Sequence, residues 1–196
     1  NVTGTLAGTG NTYTVTYTVA EGDTDRPEDQ IVPVSVLLAD EAGNAMAAAY
    51  TTSPVAAFCP AIDGHTPVVT GVAFTPADGW RRAGQSVTMT ITTTGTETSN
   101  AVQTGSTVLV NGKNVTGTLA GSSNTYTVTY TVAEGDTDRP EDQILPVSVI
   151  LADEAGNVMV AAYATSPAAE TCPAIDGHTP VVSGVAFSPT DGWRKV

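Results

Sequence analysis

The stretch TYTVTYTV stands at Thr12–Val19 and again, letter for letter, at Thr125–Val132. Its period is two. In the second copy Tyr126, Val128, Tyr130 and Val132 point one way and the threonines the other, as in a half-buried β-strand. β-Branched Thr suits the exposed face of a sheet. SVTMTITTT (Ser86–Thr94) alternates Val87, Met89 and Ile91 with Thr in the same manner, and ILPVSVILAD (Ile144–Asp153) is almost continuously apolar, as a central strand would be. NGKN at Asn111–Asn114 carries the Asn-Gly signal of a tight hairpin. No segment has a helical period, so the chain is predicted to be all-β.

The duplication of TYTVTYTV extends outward. Residues 1–83 align with 114–196 at an offset of 113 without a gap, at roughly 80% identity, with mild changes such as Val32 to Leu145 and Arg82 to Lys195. A period of about 113 residues is the size of a domain, far longer than a solenoid unit. The expected division is a partial module over 1–66, a complete one over 67–179, and the first strand of another over 180–196. Strands of the complete module are expected near 68–76, 86–95, 106–110, 115–120, 124–132, 144–152 and 158–165. Seven short strands in about 110 residues fit an immunoglobulin-like β-sandwich.

The composition narrows the partners. Seven Lys and Arg against twenty Asp and Glu give a net charge of −13. That excludes a basic face for nucleic acid and disfavours anionic membranes. No apolar run is long enough to span a membrane, and the first residues carry no signal-peptide pattern. Hydrophobic residues make up 41%, enough for a packed core.

The acids are clustered. EGDTDRPED recurs at Glu21–Asp29 and Glu134–Asp142, with five acidic residues in nine. In a sandwich of this order it lies at the same end as the exit linker CPAIDGHTP, while DEAGN (Asp153–Asn157) lies at the opposite end. Stacking two modules would then gather Glu21, Asp23, Asp25 and linker Asp63 with Asp153 and Asn157. The repeat equivalents are Glu134, Asp136, Asp138, Asp176, Asp40 and Asn44. Oxygen donors in that number suit Ca²⁺, which takes six to eight of them. The alternative is a solvated acidic loop offset by Arg26 and Arg139; the spacing is not that of an EF-hand. DEAGN by itself also reads as a plain turn.

VTYTVAEGDTD followed by PVSVILADEAGN resembles the bacterial immunoglobulin-like repeats of large surface and adhesin proteins, and the acidic loops are similar to those of cadherin-type modules. The resemblance covers the whole repeat, with Ala152, Asp153, Gly156 and Asn157 forming its A-x-D-x-x-G-N ending. It implies an extracellular spacer or adhesive array, a filament, stalk or giant adhesin, often stiffened by Ca²⁺ between modules. The linker CPAIDGH departs from it.

Cys59 and Cys172 fall one per repeat, so a disulfide within one repeat is impossible. Each is a partly buried thiol, a crosslink to another chain, or a metal ligand with His65 or His178. Trp80 and Trp193 are packing residues or sugar platforms. Asn1 and Asn114 open N-V-T sequons, with Asn114 the accessible candidate for glycosylation. No catalytic motif is present, so no enzyme is expected. The expected partners are neighbouring repeats or other copies of the chain. A carbohydrate- or host-surface-binding module and an accessory module of a secreted enzyme are the alternatives.

Overall fold

The computed structural model describes residues 6–94, 104–188, 190, 192, 193 and 195. The chain divides into two compact units, Asn1–Thr66 and Pro67–Val196. Both are built mainly from antiparallel β-structure, and the described helical residues are single turns of 3-10 helix.

Unit 1 holds one short hairpin, β1 (Ala7–Thr9) with β2 (Thr12–Thr14). Beyond it, isolated bridges join Arg26 to Ile62, Val36 to Tyr50 and Ala39 to Ala45.

Unit 2 is fuller. β3 (Val68–Thr75), β5 (Ser86–Thr94), β9 (Thr125–Thr131) and β8 (Ala120–Ser122) form one antiparallel sheet in the order β3-β5-β9-β8. β10 (Val147–Ile150), β6 (Thr107–Val110) and β7 (Lys113–Asn114) form a second in the order β10-β6-β7. A bridge from Val149 to Tyr163 adds the following segment to its edge. The period-two pattern decides which side chains go inside. Val87, Met89 and Ile91 of β5 are buried, as are Val128 and Tyr130 of β9. From the second sheet Val108, Val110, Val147 and Val149 join them in one cluster. Each apolar side chain of this size contributes roughly 1.5–3 kcal/mol on burial.

The Asn-Gly hairpin forms as read. Val110 pairs with Lys113 across a two-residue turn in which Asn111 and Gly112 have φ of 50° and 76°, the primed geometry that matches strand twist.

Three strands differ from expectation. The one expected at 115–120 is largely replaced by a 3-10 turn at Thr116–Thr118, between β7 and β8. Local bonds compete with the ladder there: Asn114 Oδ1 accepts the Thr116 N–H, and Thr116 Oγ1 accepts the Val108 N–H at 2.7 Å. The strand expected over 144–152 is confined to Val147–Ile150, because Pro146 has no N–H to give. The strand expected over 158–165 is reduced to bridges at Val158 and Tyr163. A feature not foreseen is a parallel pair, β4 (Trp80–Arg82) with β11 (Ala174–Asp176), which fastens the CPAIDGH segment to its own unit.

Candidate functional site

The second acidic loop and the segment forty residues after it close on each other as a clasp. Gly135, at φ 84°, turns its N–H onto the Gly177 carbonyl at 2.7 Å. Arg139 and Ile175 exchange both backbone bonds, at 2.8 and 2.7 Å. The side chains then finish what the backbone begins. Asp138 Oδ1 accepts the Gly177 N–H at 2.7 Å and lies 3.0 Å from His178 Nδ1. Glu134 accepts the Thr179 N–H at 3.1 Å. Asp176 accepts the His178 N–H at 3.0 Å.

Unit 1 repeats the arrangement. Gly22 donates to the Gly64 carbonyl at 2.7 Å, and Arg26 and Ile62 exchange bonds at 2.7 Å. Asp25 Oδ1 accepts the Gly64 N–H and meets His65 Nδ1, both at 2.9 Å. The clasp therefore forms twice, from the same letters.

Electrostatics follow from these contacts. The Gly177 N–H, then His178, hold the Asp138 carboxyl below its usual range. Asp138 in turn raises His178, and Asp25 raises His65 in the same way. In each pair a carboxylate favours the charged imidazole.

Asp136 has a different role from the one its acidic neighbours suggested. It is 1% exposed. Its Oδ2 accepts the Tyr130 hydroxyl at 2.7 Å and the Ala133 N–H at 2.9 Å, and Lys113 Nζ stands 2.8 Å from Oδ1. Burial pushes its carboxyl up, but these three donors outweigh that and hold it low. Burial first, with Asp136 adding, pushes the Tyr130 hydroxyl up to about 12. The hairpin residue Asn111 completes the network: its amide donates to the Thr137 carbonyl at 2.8 Å, and its oxygen accepts from Arg139 Nε at 2.9 Å. Asp136 is thus a fastening point for its loop. Asp23 makes the matching bonds to Tyr17 and Ala20, at 2.5 and 2.8 Å.

The DEAGN residues turn inward on themselves. Asn157 donates its N–H to Asp153 Oδ1 at 2.8 Å and its side-chain amide to Oδ2 at 3.0 Å. Asp40 and Asn44 do the same at 2.8 Å each, which lowers the Asp40 carboxyl. Both are turns capped by an Asp–Asn pair.

Among the described residues, one group of three or more ligating side chains comes together: Asp138, Asp176 and His178, with one ligand atom from each within 4.8 Å of the others. Two carboxylates and an imidazole do not fit Ca²⁺, which takes six to eight oxygens and not nitrogen. Asp138 Oδ1 is already accepting two bonds. Within unit 2 these acids serve in a clasp, a buried fastening point and a capped turn.

Cys172 is buried and Cys59 half-buried, and both are free thiols. Each lies within weak hydrogen-bonding reach of the carbonyl of a preceding proline, Pro167 or Pro54. Asn114 is exposed on β7; Asn1 lies outside the described residues. Trp80 is half-exposed and Trp193 exposed. Sequence reasoning missed Lys113, Asn111 and Tyr130 as the support of the loop. The signal was available: Lys113 is one of few cations in the chain, placed in a hairpin next to a strand that ends in an acidic loop.

No family model, curated protein or solved structure matches the chain. Among the described residues, no helix is long and apolar enough to cross a membrane.

Proposed function

We propose that the chain is a structural segment of a tandem array of immunoglobulin-like modules outside the cell, and that it spaces and stiffens the array. The observation that carries this reading is the clasp. In both copies the segment that leads out of the unit is bound back onto the unit's own acidic loop through backbone pairing, an Asp–His contact and a glycine N–H. A free linker of that length would be a hinge; a bound one holds its direction. The sheet order β3-β5-β9-β8 beside β10-β6-β7 supports the immunoglobulin-like likeness. In this reading the stiffening element is the protein's own hydrogen bonding, and Ca²⁺ at the junctions, as the sequence suggests, is the alternative that the calcium experiment below decides.

Small-angle X-ray scattering of the chain tests this. Asp25→Ala, which removes the side-chain arm of the clasp in unit 1, is expected to raise flexibility measurably over the parent. Identical profiles for parent and variant would overturn the reading. Calcium chloride against EDTA in a melting experiment is expected to give no shift; a rise of several degrees with calcium would restore an ion to the junction.

A second reading rests on Trp80. Its ring is half-exposed at a module end, the setting in which an aromatic side chain stacks on a sugar. A glycan array probed with the parent and with Trp80→Ala decides it: glycan binding lost in the variant would favour recognition over spacing.

A further inference from the structure

The turn between β6 and β7 holds the one Asn-Gly pair in the chain; every other asparagine is followed by Ala, Val or Thr. Asn-Gly has two properties that conflict. It is the favoured pair for a primed turn, because both residues tolerate positive φ. It is also the asparagine pair least durable in water, since glycine has no side chain to shield its backbone nitrogen from the asparagine carboxamide. At φ of 50° and 76°, Asn111 and Gly112 use the first property. Their surroundings suppress the second.

Asn111 is 5% exposed, while Gly112 beside it is exposed. The Asn111 carboxamide is gripped by residues of β9 and the acidic loop. Its Nδ2 donates to the Thr137 carbonyl at 2.8 Å and to the Tyr130 hydroxyl at 3.3 Å. Its Oδ1 accepts from Arg139 Nε at 2.9 Å. The backbone N–H of Asn111 is fixed on the Pro146 carbonyl at 2.9 Å. For Cγ to swing onto the Gly112 nitrogen, all three side-chain bonds must break. In the closed unit that leaves buried polar groups unpaired, which opposes the swing. Parting of the hairpin from the loop removes the obstacle.

We propose that Asn111 is a guarded deamidation site, at which opening of the β6–β7 hairpin is recorded as a permanent covalent change. With the hairpin open, the Gly112 nitrogen loses its proton and bonds to Asn111 Cγ. The Cγ–Nδ2 bond breaks, and ammonia leaves with a proton in place of the one released. Water then opens the five-membered ring at either of its two carbonyls, leaving aspartate or isoaspartate. Water is the sole co-reactant, and nothing is oxidised or reduced. Neither product closes as before. Aspartate has no N–H to give the Thr137 carbonyl. Isoaspartate adds a methylene carbon to the backbone of a two-residue turn, across which Val110 pairs directly with Lys113. That shift draws Lys113 from Asp136 Oδ1, which it meets at 2.8 Å in the intact unit. The inference uses the geometry of unit 2 alone and stands or falls separately from the spacer reading.

Two measurements test it. First, the full chain is held at mildly alkaline pH in buffer and in unfolding guanidinium, and residue-resolved mass spectrometry follows replacement of NH₂ by OH. Asn111 is expected to be the first asparagine to react in guanidinium, and to react more slowly by roughly tenfold or more in the folded chain. Equal rates in the two solvents, or no reaction at Asn111 in guanidinium, overturn the inference. Arg139→Ala removes one of the three holds and is expected to speed the folded-state reaction several-fold. A slower or unchanged rate in that variant would mean that Arg139 activates the carbonyl or is indifferent to it, and overturns the guard. Should the variant lose exchange protection at β5 and β9, the parent comparison still decides. Second, the chain deamidated in guanidinium is returned to buffer and its amide hydrogen exchange is read. The Val115 N–H, bonded to the Val108 carbonyl at 2.9 Å in the intact unit, is expected to exchange roughly tenfold faster than in the parent. Exchange equal to the parent's would overturn the permanence of the change.

Discussion

Gly177 lies so close to Asp136 that a Cβ built on it would stand 2.5 Å from the Asp136 carbonyl oxygen. The obstacle is backbone on both sides, so neither can rotate away. In unit 1 the same relation holds between Gly64 and the Asp23 carbonyl, at 2.6 Å. The glycine of CPAIDGH is therefore required by contact, and its φ is not in the left-handed region.

Gly177→Ala is expected to open the clasp. Forcing a methyl against backbone costs about 1–3 kcal/mol. Hydrogen exchange should rise at Ile175 and Gly177, whose amides bond to Arg139 and Asp138, while β5 and β9 keep their protection. Unchanged exchange at those amides would refute the steric argument.

Asp136 should matter more than its repeat equivalent. Asp136→Ala leaves the buried Tyr130 hydroxyl and the Ala133 N–H without their acceptor, while half-exposed Lys113 turns to water, a loss of about 1–3 kcal/mol. Asp23→Ala removes a half-buried carboxylate that accepts from Tyr17 and Ala20 and should cost less, about 0.5–1 kcal/mol. Urea denaturation of the two variants side by side gives the comparison, and equal effects would contradict the burial difference.

The clasp should be tightest in a window of mildly acid pH. His178 is raised above its ordinary 6.5, so its contribution is complete below 6.5 and is lost as pH climbs through the raised value. Asp138 is lowered below 3.8, so its contribution is complete above 3.8 and is lost as pH falls through the lowered value. Between the two, both members are charged. NMR titration of His178 should give a midpoint above that of a free histidine, and Asp138→Asn should bring it down. A midpoint indifferent to that substitution would break the pairing.

The core face of β5 should be unforgiving and its other face tolerant. Ile91→Ala removes a fully buried side chain and should cost about 2–5 kcal/mol. Thr92→Ala, on the exposed face, should stay within about 0.5 kcal/mol. Thermal melts of both variants test the alternation read from SVTMTITTT.

Much of the β-structure was legible because alternation is a local signal. Val87, Met89 and Ile91 declare their face in nine letters, and Asn111-Gly112 declares its turn in two. The proximity of EGDTDRPED to CPAIDGHTP was also reachable, since strand order places both at one end. What was not legible is how individual acids are used there. Asp136 and Asp138 are two residues apart in one acidic run, yet one is sealed against Lys113 and the other faces His178 at the surface. Charge counting cannot separate them; only the hairpin, arriving from a different strand, does. The parallel pairing of Trp80–Arg82 with Ala174–Asp176 was invisible for a similar reason. It joins two short segments far apart in sequence, neither of which has a strand-like pattern of its own.

The doubling-back of Ala174–Thr179 onto its unit has a mechanical consequence. Pulled by its ends, the chain loads this fold-back before it loads the sheet pairing of β5 with β9. Ile175 is fully buried in the core and Ala174–Asp176 also pairs with Trp80–Arg82, so the segment gives way as one unit. Releasing six residues lets out about 2 nm of chain, and rebinding takes it in again. Each clasp so built yields a little length before the paired sheets are strained. Force–extension traces should record a small reversible step ahead of the main rupture.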